Sequence, residues 1–236
     1  MTELSAQRRR VLDALADEFL LLTPTGRRMI GVDGADGAGK SHFAHDLAEV
    51  LRERGVEVVE ASHDDFARPR DERWARGRHS AWGCYHDTYD DGAFRRELIE
   101  PFRVRATDAS PQPPFRTRVF DVATDLPVDE PARTAGPEAV LVVDGVFLHR
   151  PELRGLWHFS VWLDVDPDER TRRLAARDGL STDPADPLAE RYAGAQQLYA
   201  DDAHPNIAAT AIVDNTDPDA PARRFADYCV APPRAR

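Results

Sequence analysis

The chain has 236 residues, of which 42% are hydrophobic, enough for one sizeable core in a single α/β domain over residues 1–236. Its 31 Lys and Arg residues against 42 Asp and Glu give a formal charge of −11, which argues against a nucleic-acid partner. No apolar run approaches the ~20 residues that cross a bilayer, and Met1–Arg10 lacks the apolar core of a secretory signal. We therefore expect a cytoplasmic protein with no membrane partner.

Strand and helix patterns alternate along the chain, which predicts a three-layer α/β/α fold around a parallel central sheet. Apolar residues at helical spacing predict helices over 4–21, 40–54, 92–102, 167–177, 188–202 and 220–229. Short apolar runs predict strands over 28–32, 56–61, 116–122, 140–144, 158–163 and 209–213. The polar, proline-bearing segment 178–187 is predicted to be a mobile lid.

A glycine-rich turn separates the first predicted strand from the helix that follows. Residues 34–41 read GADGAGKS and fit the P-loop pattern G-x-x-x-x-G-K-[ST] at each fixed position. Main-chain N–H groups of such a turn face inward around phosphates, and the helix N-terminus adds positive dipole. Lys40, the only lysine in the chain, is expected to reach the β- and γ-phosphates, and the Ser41 hydroxyl to bind Mg²⁺. The predicted nucleotide-binding residues are Gly34, Ala35, Asp36, Gly37, Ala38, Gly39, Lys40 and Ser41.

The buried-strand pattern over 140–144 ends in an acid, Asp144. Many buried strands end in this way, so the pattern alone is weak. Behind a P-loop, such a strand carries a carboxylate to the side of the Mg²⁺ site. We therefore expect Asp144 to share the metal site with Ser41, and we expect ATP and Mg²⁺ as cofactors.

Five short segments follow one another in a fixed order. They are GVDGADGAGKS at 31–41, SHDDF at 62–66, DTYD at 87–90, VFD at 119–121 and AIVDN at 211–215. With the helical segment 164–178, they resemble the uridine kinase, phosphoribulokinase and pantothenate kinase family of P-loop kinases, and uridine kinases most of all. The resemblance implies an ATP-dependent kinase that transfers the γ-phosphoryl group to a hydroxyl of a nucleoside-like acceptor. A homo-oligomer is compatible with the sequence.

The same resemblance implies catalytic roles. Asp64 matches the catalytic base of the family, with its neighbour Asp65 as the alternative. Arg173 and Arg177 match lid arginines that neutralise the transferred charge, together with Lys40 of the P-loop. A solvent-facing position on the helix is the alternative for Arg173.

The acceptor end departs from uridine kinases. Cys84 stands where those enzymes usually carry an aspartate, and Phe120 replaces a tyrosine. The candidate acceptor residues are Asp64, Phe66, Arg70, Tyr85, His86 and Phe120. Five arginines between residues 68 and 78 either form a solvated basic face or bind a phosphate on the acceptor, since arginine suits bidentate phosphate recognition.

Two further functions stay open as alternatives. One is a kinase for a phosphorylated sugar or a pantothenate-like acceptor. The other is a P-loop regulator or ATPase without a kinase activity. A GTPase is disfavoured because the chain has no N-K-x-D motif, its one lysine being in the P-loop.

Overall fold

A computed structural model describes residues 4–104 and 112–225. The strands are β1 (Arg28–Gly34), β2 (Val58–Ser62), β3 (Phe120–Asp121), β4 (Leu126–Pro127), β5 (Val140–Asp144), β6 (Phe159–Asp164), β7 (Ala211–Asp214) and β8 (Ala222–Arg224). The helices are α1 (Ala6–Leu22), α2 (Lys40–Glu53), α3 (Arg70–Arg73), α4 (Ala81–His86), α5 (Asp91–Ala93), α6 (Glu100–Arg103), α7 (Pro167–Asp178), α8 (Pro187–Ala203) and α9 (Pro205–Ala208). A π-helical stretch, Phe94–Ile99, joins α5 to α6, and short 3₁₀ turns cover His63–Phe66 and Pro151–Leu153. Within the described residues, no helix combines the length and the apolar character that crossing a membrane requires.

A six-stranded sheet in the order β2-β5-β1-β6-β7-β8 forms the middle layer. All neighbouring pairs are parallel except β7 with β8. Ser62 at the end of β2 is in register with Asp144 at the end of β5, which is in register with Val32 of β1. The carboxyl ends of these three strands therefore meet at one edge, where ligands bind in open α/β sheets.

Two apolar clusters cover the faces of the sheet. On one face, α1 contributes Leu12, Leu15 and Phe19, which recur at helical spacing and pack against the sheet through contacts such as Phe19 with Phe159. On the other face, the segment around the π-helical stretch contributes buried aromatic residues, among them Phe94. The N-terminal helix thus packs on the core of its own chain, and the predicted three-layer α/β/α fold is confirmed.

Two sequence-based predictions of local structure are wrong. The predicted helix 220–229 is, in its described part, the antiparallel strand β8, whose Arg224 guanidinium lies 2.6 Å from both the Asp164 and Asp214 carboxylates. The predicted strand 116–122 shrinks to Phe120–Asp121, which pairs with β4 in a two-stranded ribbon outside the main sheet. Helix α4 was not predicted, although Ser80 caps it by accepting a hydrogen bond from the Gly83 N–H at 3.0 Å.

A buried carboxylate lies at the end of β1, directly before the P-loop. Asp33 is fully buried, and its carboxylate accepts hydrogen bonds from the Tyr199 hydroxyl, from His149 Nδ1 at 2.8 Å and from the Gly34 N–H at 2.7 Å. Nε2 of His149 lies 3.0 Å from the Ser160 hydroxyl. Since a buried charge is costly unless donors surround it, this network fixes β1, α8 and the loop after β5 to one another.

Replacing Tyr199 with Phe removes one donor from the buried Asp33 carboxylate. We expect the free energy of unfolding to fall by about 1.5–3 kcal/mol, the range for hydrogen bonds to charged groups. Urea unfolding at a fixed protein concentration measures the change. Tyr85→Phe is the matched control, because the Tyr85 hydroxyl bonds the exposed Asp202 at 2.6 Å and its loss should cost less. Equal losses in both variants would contradict the role given to Asp33.

Candidate active site

The P-loop lies between β1 and α2 and is packed on both sides. Gly37 and Gly39 have φ values of 80° and 83°, a left-handed conformation that glycine adopts without strain. A Cβ on Gly37 would lie 2.8 Å from the Arg170 carbonyl of α7, and one on Gly39 would lie 3.1 Å from Asn215 Nδ2. Asn215 itself donates to the Ala38 carbonyl at 2.8 Å. The backbone of the loop is therefore set by α7 and by the end of β7.

Contacts from the N-terminal helix extend this support. The buried Arg8 of α1 donates to Asp46 of α2 at 2.6 Å, to the Pro218 carbonyl at 3.0 Å and to Asn215 Oδ1 at 3.4 Å. Asn215 thus receives a donor from α1 while it donates to the P-loop. Both ends of the described chain meet behind the phosphate-binding turn.

The residues predicted to bind phosphate and metal lie together at the strand ends. Lys40 Nζ donates to the Ala35 carbonyl across the loop at 3.0 Å. The Ser41 hydroxyl donates to the Asp144 carboxylate at 2.6 Å. Burial raises the pKa of Asp144, an effect that the hydrogen bond from Ser41 opposes. The two residues predicted to share the metal site are therefore in direct contact.

A cavity of about 190 Å³ adjoins the P-loop at Asp36. Its wall consists of Asp36, Asp64, Ala67, Arg73, Cys84, Thr88, Tyr89, Val122, Val146, Phe147, Arg191 and Tyr192. The Asp64 carboxylate accepts a hydrogen bond from the Tyr89 hydroxyl at 2.7 Å. Tyr89 is buried and stacks on His63 with ring centroids 4.1 Å apart. Its packing fixes the orientation of the carboxylate at the cavity.

Asp65, the alternative to Asp64, has a different environment. Its carboxylate pairs with Arg118 Nε at 3.0 Å and does not line the cavity. Burial raises the pKa of Asp65 to about 6, more than the Arg118 charge lowers it. Of the two neighbouring acids, only Asp64 contacts the space where an acceptor can bind.

Three predicted acceptor residues lie in the core instead of the cavity wall. Phe66 is fully buried and packs edge-on against Phe94, with ring centroids 5.1 Å apart. Tyr85 and Phe120 are buried in a third apolar cluster. On α4, Cys84 lines the cavity whereas its neighbour Tyr85 does not.

Two other predicted acceptor residues lie outside the cavity. Arg70 is exposed, and its guanidinium lies over the Trp74 ring at 5.3 Å from the centroid. His86 packs against Trp82, with ring centroids 4.1 Å apart. Neither residue belongs to the cavity wall. From the arginine-rich segment 68–78, the residue that lines the cavity is Arg73.

The two lid arginines differ in their partners. Arg173 donates to the carbonyls of Gly37 at 3.3 Å, Asn215 at 3.1 Å and Thr216 at 2.7 Å. It is thus neither a solvent-facing residue nor a free cation, and it links the P-loop to the segment after β7. Arg177 is exposed and pairs with Asp178, which raises its pKa, and the charges of Asp36 and Asp64 raise it further. Arg177 makes no contact with the P-loop among the described hydrogen bonds, and its role as a lid cation stays a prediction.

Sequence reasoning missed Arg191. This residue shares the buried face of α8 with Ala195, Tyr199 and Ala203, at a strict spacing of four. The signal that could have identified Arg191 is an arginine at a position where the helical spacing of the apolar residues predicts an apolar side chain.

A second cavity, of about 830 Å³, lies between α7, α8 and the strands β6 and β7. It shares Asp36 and Tyr192 with the first cavity. Asp64 lines the first cavity but does not belong to the wall of the second. The smaller cavity is therefore the better candidate for the acceptor.

The chain is similar in sequence to several uridine kinases and similar in fold to a possible uridine kinase. No model of a known protein family matches the chain. The uridine kinase of Chlamydia pneumoniae is 26% identical over 166 residues, which cover 70% of this chain and 70% of that protein. The uridine kinase of Leuconostoc citreum is 25% identical over 152 residues, which cover 64% and 68%. The structure of a possible uridine kinase from Bacillus stearothermophilus shares the fold, with a TM-score of 0.65 at 24% identity over 86% of this chain and 97% of that one.

The chain is thus a uridine kinase-like P-loop kinase, a phosphotransferase that acts on a hydroxyl group. This result confirms the family resemblance, the fold and the enzyme class that the sequence predicted.

Replacing Gly37 with Ala tests the close packing of α7 on the P-loop. A left-handed residue with a side chain costs about 1–2 kcal/mol, and the new Cβ would also displace the Arg170 carbonyl. We expect the KM for ATP to rise by about tenfold or more. Gly55→Ala is the control, since Gly55 has a φ of 78° and no atom within 4 Å of the added Cβ. An equal KM for ATP in both variants would contradict a role for the packing of α7 on Gly37 in nucleotide binding.

Proposed function

We propose that the protein transfers the γ-phosphoryl group of ATP to a hydroxyl of a small acceptor that binds beside Asp64. One observation carries this proposal: a carboxylate held by Tyr89 lines a cavity that reaches the P-loop at Asp36. Phosphoryl transfer needs a positioned acceptor next to the nucleotide phosphates. Uridine is the first candidate acceptor, because the relatives are uridine kinases.

The P-loop residues fit a nucleotide and its metal ion. Lys40 and the main-chain N–H groups of 35–40 would hold the phosphates. The Ser41 hydroxyl and the Asp144 carboxylate are the hard oxygen donors that Mg²⁺ prefers. When bound, the ion would neutralise charge on the phosphates.

In the proposed reaction, the acceptor oxygen attacks the γ-phosphorus and ADP leaves. Asp64 accepts the proton of the acceptor hydroxyl. The Tyr89 hydroxyl keeps the carboxylate in place, and burial raises the Tyr89 pKa well above its usual value, so that this group remains a donor. Arg177 supplies positive charge from the end of α7, and the segment 178–187 closes over the nucleotide to exclude water.

An Asp64→Asn variant should lower kcat by about 10²- to 10⁴-fold, because an amide cannot accept the proton. Its affinity for ATP should remain close to that of the wild type. ADP release in the presence of uridine and other hydroxyl acceptors measures the first quantity, and calorimetry with Mg²⁺ and a non-hydrolysable ATP analogue measures the second.

Asp65→Asn is the matched control for this experiment. It removes a carboxylate one residue away that does not line the cavity, and we expect kcat to change only a few-fold. A normal kcat in Asp64→Asn would contradict the proposed base. Steady ATP hydrolysis that no acceptor accelerates would favour a P-loop ATPase over a kinase.

A further inference from the structure

The Arg191 guanidinium has no partner in the described parts of the chain. Its residue is only 7% exposed, and Nε is completely buried without a hydrogen-bond partner. None of its nitrogen atoms makes a hydrogen bond or an ion pair within residues 4–104 and 112–225. The guanidinium carbon lies 5.4 Å from the centroid of the Tyr192 ring. An unpaired buried cation is among the most costly groups in a folded protein. The Arg191 guanidinium is therefore a candidate partner for a bound anion.

The guanidinium lies in the wall of the cavity that contains Asp64. No acid of this wall forms an ion pair with it: the Asp64 carboxylate accepts a hydrogen bond from Tyr89, and Asp36 accepts one from Gln196 at 3.5 Å. The neighbouring thiol does not do so either. Burial raises the pKa of Cys84 to about 11 in spite of the Arg191 charge, so the thiol stays neutral at pH 7.

A second arginine lines the same cavity. Arg73 has a side chain that is 12% exposed, and it uses one terminal nitrogen to pair with Asp125 at 3.0 Å. Its Nε is buried and has no partner. Two arginines with unused donors thus share a small space with the proposed base, and guanidinium groups bind carboxylates and phosphates in bidentate fashion.

We propose that the acceptor carries an anionic group, a carboxylate or a phosphate, which Arg191 binds with Arg73 as the second donor. The inference rests on the proposed kinase function and narrows its acceptor class. The anionic group binds the Arg191 guanidinium, while a hydroxyl of the same molecule contacts the Asp64 carboxylate. The cavity volume of about 190 Å³ is below the ~300–1,000 Å³ of typical ligand sites, which favours a compact acceptor.

Matched pairs of acceptors test the proposal on the full chain. D-Glycerate is compared with glycerol, pantothenate with panthenol, and ribose 5-phosphate with ribose, and uridine is added as a neutral nucleoside. ADP release gives kcat and KM for each compound in the wild type, in Arg191→Gln and in Arg191→Lys. The carboxylate and phosphate pairs show which anion the site prefers.

For at least one pair, we expect the anionic member to have a kcat/KM at least tenfold above its neutral partner. Arg191→Gln should raise the KM of that anionic acceptor by about 10- to 100-fold, as the loss of a charged hydrogen bond implies. The KM for ATP should change less than twofold, and Arg191→Lys should restore part of the loss. Arg172→Gln is the control, since Arg172 is exposed and pairs with Glu169 on α7.

An unchanged KM for ATP also shows that Arg191→Gln is folded, and Arg73→Gln provides a second variant of the same cavity. If uridine or the neutral compounds are phosphorylated as fast as the anionic compounds or faster, the proposal of an anionic acceptor is overturned. The kinase function then remains intact. If Arg191→Gln raises the KM for ATP and the KM for the acceptor equally, Arg191 contacts the transferred phosphoryl group. That result also overturns the proposal of an anionic acceptor. If ATP binds but none of the compounds is phosphorylated, both the kinase function and this inference are overturned.

Discussion

The Asp33 carboxylate is the constraint on which the site depends. It is fully buried at the end of β1, and it is stable there only while Tyr199, His149 and the Gly34 N–H all donate to it. Those donors come from α8, from the loop after β5 and from the start of the P-loop. One buried charge therefore determines where the phosphate-binding turn lies relative to the helix that carries Arg191.

Parallel topology supplies the rest of the geometry. The ends of β1, β2 and β5 lie side by side, so the P-loop, the segment with Asp64 and the Asp144 carboxylate converge although they are distant in sequence. Helix α8 then closes the far side of the acceptor cavity. The proposed catalytic groups lie at the strand ends, and Arg191, the proposed anion-binding residue, lies on the helix that packs over them.

The sequence predicted those parts of the site that depend on local pattern and on strand order. The P-loop is a continuous motif, and Asp144 follows a buried strand, so their contact through Ser41 could be anticipated. The acceptor wall could not, because it depends on which way side chains face. Tyr85 and Cys84 are adjacent in sequence, yet packing of α4 on α8 buries the first and turns the second to the cavity.

Contacts between segments that are distant in sequence also determine local structure that sequence patterns do not predict. Segment 220–229 has a composition suited to a helix, but in its described part the pairing of β8 with β7 and the contacts of Arg224 with Asp164 and Asp214 favour a strand. Arg173 matched a family position, but its bonds to three carbonyls follow from the path of the chain after β7.

The contact of Asn215 with the Ala38 carbonyl has a consequence for biosynthesis. The P-loop is synthesised before the amide that holds it and before the carbonyl partners of Arg173, which belong to residues 215 and 216. A nascent chain can form β1 and α2 without these contacts. The support of the phosphate-binding turn is therefore complete only after residue 216 has been added.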